Sequence, residues 1–244
     1  MTTLRLRLPD VTLVAVDTIC HKLTAMALRE CCDKVEFGSV LILSDKSLIG
    51  PDSQVVSYHK IAPCTLYRYG AHIWYSVPPL VQTSHYLIAQ WDGWVLDPGA
   101  WTDDFLRYDY IGAPWGWHHD GYEVGNGGFS LRSTALGEHV AKNPSKYPFY
   151  HPEDDALCRR HRVDLERQNF TWAPEELAMR FAFERTVSQA PEPHFGYHGV
   201  FNWPRIMPPA KVHERLRLAP PHVLDSPEVQ AMLAALPGVP EEAA

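Results

Sequence analysis

The sequence predicts an α/β domain built on a largely parallel central sheet, and three stretches carry that expectation. Residues 11–18 (VTLVAVDT) and 39–45 (SVLILSD) are short apolar runs rich in β-branched residues. Between them, residues 19–32 place Leu23, Met26, Ala27 and Cys31 near helical spacing. Strand, helix, strand with near-continuous apolar strands is how a sheet buried on both faces begins. The third stretch, HYLIAQ (85–90), reads as a central strand and runs into an Asp92-Gly93 turn. Open α/β sheets bind their ligands at such strand ends.

Further strands are expected at 55–61 (VVSYHKI), at 94–96 (WVL, closed by Pro98-Gly99) and at 129–133 (FSLRS). The aromatic run 72–79 (HIWYSVPP) is stopped by two prolines. Residues 133–141 read as a helix, and 152–162 (PEDDALCRRHR) as another, opened by proline and three acids. Residues 173–185 (APEELAMRFAFER) read as a helix passing into a strand. Neither an internal repeat nor a linker divides the chain. The expected organisation is one domain over residues 1–204 and a Pro-rich extension, 205–244, that packs on it or trails from it, frayed over its last ten or so residues.

With 45% apolar and 21% charged residues among 244, the composition is globular and excludes disorder, collagen and coiled coil. The 22 basic residues against 29 acidic ones argue against a protein that lives on nucleic-acid backbones. Phosphate binding stays open through a metal ion, a helix N-terminus or a few arginines. Five cysteines, at 20, 31, 32, 64 and 158 with no Cys-x-x-Cys, argue against a disulfide framework and a structural zinc site. The N-terminal run does not read as a signal peptide, and no run has the length of a membrane span. A cytoplasmic location is the expectation, with peripheral contact to a membrane enzyme system left open.

Four groups of residues have the chemistry for a site. Asp92, after a buried strand and before Gly93, reads either as a ligand for a cation on a diphosphate or as a turn former. Gly125-Asn126-Gly127-Gly128 reads as a ligand-facing loop or as a hairpin turn. Among Glu153, Asp154 and Asp155, one acid near apolar groups or a like charge serves as a general base; the alternative is an ordinary acidic helix start. His198, and more weakly His118-His119-Asp120, read as metal ligand, base or plain structural residues. Seven of the eight tryptophans (91, 94, 101, 115, 117, 172, 203) lie near these segments, as either a sugar or nucleotide cleft or a core requires. There is no Gly-x-Ser-x-Gly and no His-Glu-x-x-His.

In order, HYLIAQWDGWVLDP, DDFLRYDYIGAPW, GNGGFSLRS, PEDD and FGYHGVFNWP resemble the domain of unknown function 5672 family, whose members look like GT-A fold glycosyltransferases. The resemblance runs from about Val11 to Pro204. It implies a GT-A-like, Rossmann-related, mixed but mostly parallel sheet flanked by helices. It also implies a nucleotide-sugar donor, Mn²⁺ or Mg²⁺, and inverting transfer to a hydroxyl-bearing glycan, metabolite or peptide acceptor. On this chain, Gln90-Trp91-Asp92 falls at the family's Asp-x-Asp place, with Asp92 at the last acid; Gln90 is a departure, an amide where many metal-dependent members carry Asp. Gly125 to Gly128 fall at the Gly-rich loop, Asp154 at the base, Glu153 beside it orienting the acceptor, and His198 at the late metal-binding histidine. Asp17, ending the first strand, is placed facing the nucleotide. Two alternatives stand beside this reading: an inactive carbohydrate- or nucleotide-binding module, and a metal-dependent phosphodiesterase or nucleotidyltransferase.

Overall fold

The structure, a computed structural model, describes residues 5–47, 56–185 and 193–236. Its centre is a six-stranded sheet of β1 (Leu6–Val16), β2 (Val35–Ser44), β3 (Val56–Lys60), β4 (His85–Ala89), β5 (Tyr110–Gly112) and β6 (Phe129–Ser133). The strand order is β3-β2-β1-β4-β6-β5. The first four run parallel, and β6 is antiparallel to both β4 and β5. β1 begins at Leu6, ahead of the expected Val11, because its register against β2 shifts between Leu8 and Thr12. A bulge there tolerates Pro9, which has no N–H for a ladder.

Alternation along β1 and β4 explains why both faces of the sheet are covered. Leu13, Ala15 and Leu87 point into one core, while Val14, Val16, Tyr86 and Ile88 point into a second cluster with Leu41, Leu43 and Val77. Helix α1 (His21–Lys34) packs on the first face through Leu23, Ala27, Leu28, Cys31 and Cys32, spaced three and four apart, and passes directly into β2. α2 (Leu66–Ala71) is capped by Thr65 and runs on as a π-turn over His72–Ser76 and a 3-10 turn over Pro78–Leu80, so the two prolines, expected to stop the run, instead open its last turn, and the chain becomes extended at Val81. Ser133 Oγ caps α3 (Thr134–Lys142) by accepting from the Leu136 N–H at 3.1 Å.

The acidic segment forms one turn, α4 (Glu153–Asp155), then a π-turn at Ala156–Arg160 and α5 (Arg162–Glu166). α6 (Glu175–Phe181) does pass into a strand, β7 (Ala182–Phe183), paired in parallel with β8 (Gly196–Tyr197). Residues 94–96 are not a strand. They make a single bridge, Val95 to Gly196, because Trp94 is held by its ring against Tyr197 and Trp203 instead of by a ladder.

Beyond Asn202 come α7 (Trp203–Ile206), α8 (Pro209–Leu216), α9 (Pro221–Leu224) and α10 (Pro227–Ala235), each with proline in its first turn. Val212, Leu216, Val229 and Met232 join the main core. The expected fraying of the tail falls on residues 237–244, outside the described residues. All five cysteines are free. Among the described residues no helix is long and apolar enough to cross a membrane. The arrangement is the Rossmann-related, GT-A-like one expected: a mixed, mostly parallel sheet with helices on its faces.

Candidate functional site

The chain builds outward from β1 to β2 and β3, then returns to the other side of β1 as β4. The C-terminal ends of β1 and β4 therefore flank a topological switch point, where open α/β sheets leave a crevice. A pocket of about 120 Å³ lies there, lined by residues 16–20, Gln90 and Trp91, with His222 and Val223 of α9 at its side. Asp17 Oδ1 accepts from the N–H groups of Ile19 (3.0 Å) and Cys20 (2.8 Å), while its buried Oδ2 has no hydrogen-bond partner among the described residues.

β4 and β6 are antiparallel neighbours, so the residue after β4 meets the loop before β6. Gln90 N–H donates to Gly128 O at 2.9 Å, and Gly93 N–H to Gln90 O at 3.1 Å closes the turn. The Gln90 amide donates through Nε2 to Tyr69 Oη (2.8 Å) and turns Oε1 toward His198 Nε2 (3.1 Å). Asp92 Oδ2 accepts from Val200 N–H at 3.2 Å. Among the described residues no group donates a hydrogen bond to its buried Oδ1, which faces His198 Nε2 at 3.4 Å. On the other edge of the ring, Nδ1 lies 3.1 Å from Glu184 Oε1. Burial works to lower the His198 pKa, but the nearby Asp92 carboxylate and the charge and hydrogen bond of Glu184 raise it well above the ordinary histidine value. Asn126 Nδ2 also lies 3.2 Å from Nδ1, a hydrogen bond only when Nδ1 carries no proton.

The loop is shaped to bring these groups close. Asn126 sits at φ 65°, a left-handed position that asparagine tolerates, and its Oδ1 accepts from Gly128 and Phe129 N–H. A Cβ on Gly128 would lie 2.0 Å from His198 Nε2, so only glycine lets the imidazole reach the loop.

Across the loop stands the acid pair. Glu153 is buried and its Oε1 takes a hydrogen bond from Arg132 Nη2 at 2.9 Å, with the guanidinium 5.1 Å from the Tyr110 ring centre. Asp154 Oδ2 accepts from Gly127 N–H and Oδ1 from Asp155 N–H, each at 2.9 Å. Loss of water, then the neighbouring Glu153 charge, raise the Asp154 carboxyl from 3.8 to about 6, against the pull of those N–H groups and Arg132. A carboxyl poised there is suited to general-base work near neutral pH. Asp154, Gly127, Gln90 and His198 share a second pocket of about 440 Å³, which meets the first at Leu66, Tyr69 and Gln90.

The fold thus brings Gln90, Asp92, Asn126, Gly127, Gly128, Glu153, Asp154 and His198 to one place, with Asp17 in the adjoining pocket. Gly125 does not line the pocket; an added Cβ there would strike Trp115 at 2.2 Å. Asp120 is spent on Arg159 at 2.6 Å. Most of the tryptophans serve packing: Trp94, Trp172 and Trp203 are buried in the core, whereas Trp91 lines the first pocket and Trp117, with the buried Trp115 behind it, lines the second. Arg132, Tyr69 and Glu184 were missed from sequence; the one available signal was a basic residue inside the apolar strand FSLRS.

A divalent cation is implied by the GT-A resemblance, and the residues present can be tested for it. Among the described residues no three His, Cys, Asp or Glu side chains converge as a metal cage. The orphaned Asp92 Oδ1 and the Gln90 amide oxygen nevertheless both face His198 Nε2, and two oxygens with one imidazole nitrogen are donors that Mn²⁺ accepts. The set fits such a cation, in competition with the proton on Nε2.

No curated protein matches this sequence. Similar solved structures include an apo-form glycosyltransferase, GlyE, of Streptococcus pneumoniae TIGR4, with 11% identity and a TM-score of 0.45 over 77% of this chain. The match spans 53% of GlyE, about half its length. A glycosyltransferase involved in glycosylation of the major capsid of PBCV-1 aligns with 12% identity and a TM-score of 0.46, over 77% of this chain and 91% of that one. The mannosyltransferase PcManGT of Pyrobaculum calidifontis, solved with GDP-Man and Mn²⁺, aligns with 10% identity and a TM-score of 0.45, over 99% and 79%. In sequence, the family model described as "Protein of unknown function (DUF5672)" matches residues 71–198, just over half of the chain and every segment of the second pocket except residues 66–69. The chain belongs to the DUF5672 family.

Proposed function

We propose that the protein is a glycosyltransferase that moves a sugar from a nucleotide-sugar donor to an acceptor hydroxyl with inversion. The observation that carries this reading is the junction of two pockets at Gln90, one at the switch point of the sheet and one holding a carboxyl poised as a base. The nucleotide occupies the first pocket, beside Asp17 and Trp91, and the transferred sugar lies toward Gly127 and Gly128. Asp154 accepts the acceptor hydroxyl's proton as the oxygen attacks the anomeric carbon. The new C–O bond forms as the bond to the diphosphate breaks, and the leaving nucleoside diphosphate keeps the electron pair. Glu153 is held by Arg132 and keeps a negative charge beside Asp154, which maintains its basicity. His198 lies at the leaving-group side, where its imidazolium offers countercharge. When bound, a divalent cation would be held by Asp92, Gln90 and the neutral His198 imidazole in place of the Nε2 proton, and would supply the countercharge to the diphosphate instead.

The test is a panel of UDP-, GDP-, CMP- and dTDP-sugars with Mn²⁺, read by release of free nucleotide and by calorimetric binding. Donor-dependent hydrolysis or transfer is expected, with Asp154→Asn removing turnover while sparing donor binding. Folded protein that binds no donor refutes the reading. Binding without turnover, across many acceptors, converts it to the inactive binding module.

A further inference from the structure

We infer that the second pocket holds an acceptor subsite for a saccharide, built on the exposed indole of Trp117; this rests on the sugar-transfer reading above and names its acceptor class. Trp117 is 52% exposed in a chain that buries Trp74, Trp94, Trp115, Trp172 and Trp203 almost completely. A large ring left in water while lining a pocket marks a binding surface better than a scattered apolar residue does.

The ring is backed and fixed. Trp117 stacks on buried Trp115 with centroids 6.3 Å apart and planes inclined by 30°. Trp115 is seated against Gly125, where a Cβ would leave no room for its ring. Its N–H donates to Glu123 O at 2.7 Å, and a bridge joins Pro114 to Val124 at the base of the loop. Arg159 ties the far side through Asp120 at 2.6 Å and the Tyr122 carbonyl at 3.1 Å. The indole face is therefore presented by a loop anchored at several points, with little ordering left to do on binding.

What surrounds the face decides the ligand class. Asp154, Asp155, His151 and Arg185 line the same pocket, so a flat apolar platform is bordered by groups that donate and accept hydrogen bonds. A pyranose matches that layout, with a C–H face for the indole and hydroxyls around its rim. A peptide added as a strand is disfavoured, because Thr171–Ala173 already occupies the outer edge of β5: Tyr110 N–H donates to Thr171 O at 3.2 Å and Ala173 N–H to Tyr110 O at 3.0 Å. A saccharide on Trp117 keeps a rim hydroxyl in the same pocket as the base.

The test uses the full chain without donor, with maltose, cellobiose, lactose and sucrose as probes at about 50 mM, in the range of weak binding. Saturation-transfer difference NMR is expected to show ring C–H protons of at least one disaccharide in contact with the protein. Trp117→Ala should weaken that binding about tenfold or more, and Trp117→Phe should restore most of it, as stacking requires. Thermal melts establish that both variants fold. Binding by none of the four, or binding that Trp117→Ala leaves unchanged, overturns the proposal, as does Trp117-dependent capture of a proline-rich peptide in place of sugars. Donor hydrolysis by the unsubstituted protein is scored separately. Hydrolysis without saccharide binding removes the subsite and keeps the transferase; saccharide binding without donor use does the reverse.

Discussion

Replacing Asp154 by Asn should stabilise the protein at alkaline pH while destroying turnover, and the gain should vanish in acid. In the folded chain the carboxyl is raised from 3.8 to about 6. Below pH 3.8 it is protonated both folded and unfolded, so it costs nothing. As pH rises toward 6 the unfolded chain ionises freely while the folded chain resists, and the cost grows until it levels off above 6. At about 1.4 kcal/mol per pKa unit the plateau is about 3 kcal/mol, an upper value because the pocket admits water. The amide also forfeits one of the two hydrogen bonds accepted from Gly127 and Asp155, which returns about 1 kcal/mol. The net gain at pH 8 is about 1–2 kcal/mol, or about 2–8 °C in Tm for a chain of this size. At pH 4.5 the residual cost and the lost hydrogen bond cancel to about zero. Melts of both proteins at pH 8 and pH 4.5 measure this directly. A Tm difference independent of pH, or an Asn variant that melts lower at pH 8, would refute the electrostatic account of the pair.

Four further outcomes are expected. Transfer activity should fall as pH drops through about 6, because the base must be ionised; a kcat/KM profile flat from pH 5 to 8 contradicts the role of Asp154. Gly128→Ala should lower activity by about 100-fold or more, since its methyl would sit 2.0 Å from His198 Nε2; unchanged kinetics would mean that the imidazole is not held against the loop. Arg132→Met should cost about 3–5 kcal/mol in denaturant unfolding by leaving Glu153 buried without its cation, and a loss below 1 kcal/mol argues against the pair. Chelation with EDTA should weaken binding of a nucleoside diphosphate about tenfold or more relative to Mn²⁺, an effect that Asp92→Asn should abolish in calorimetry.

β1, β2 and β4 were legible because they are apolar on both faces, with neighbours such as Leu13 and Val14 buried in opposite cores, whereas the exposed edge strand β3 carries no such run. WVL was misread for the same reason. Its apolarity serves ring packing of Trp94 on Tyr197 and Trp203, and a three-residue string cannot tell that from a ladder. Within the site, residues announced by turn chemistry or by acid runs were visible, from Asp92 to Asn126 and Asp154. Arg132 was not, because its meaning depends on a partner 21 positions away, and Glu184 acquires its role only when β7 lies beside β8 and aims it at His198. The tryptophans misled in the opposite direction: nearness in sequence to polar segments says little about whether a ring faces a cleft or the core.

Charge, finally, constrains how this chain can handle a diphosphate. Among the described residues neither a lysine nor an arginine lines the pocket at the switch point. Arg132, the buried cation nearest the acid pair, is committed to Glu153, and Arg185 at the pocket's edge is paired with Glu228 at 2.5 Å. Among the described residues the local positive charge left is the His198 imidazolium, itself between Asp92 and Glu184. One imidazolium between two carboxylates leaves the cluster net negative, and a diphosphate arriving there adds to the same sign. On the sugar-transfer reading, charge from outside the chain offsets that sign, and Asp92 Oδ1, buried and without a hydrogen-bond donor among the described residues, is an oxygen available to it. The Gln90 amide fits this logic: an Asp in its place would deepen the deficit by one charge, whereas the amide keeps an oxygen toward Nε2 and uses its nitrogen to hold Tyr69.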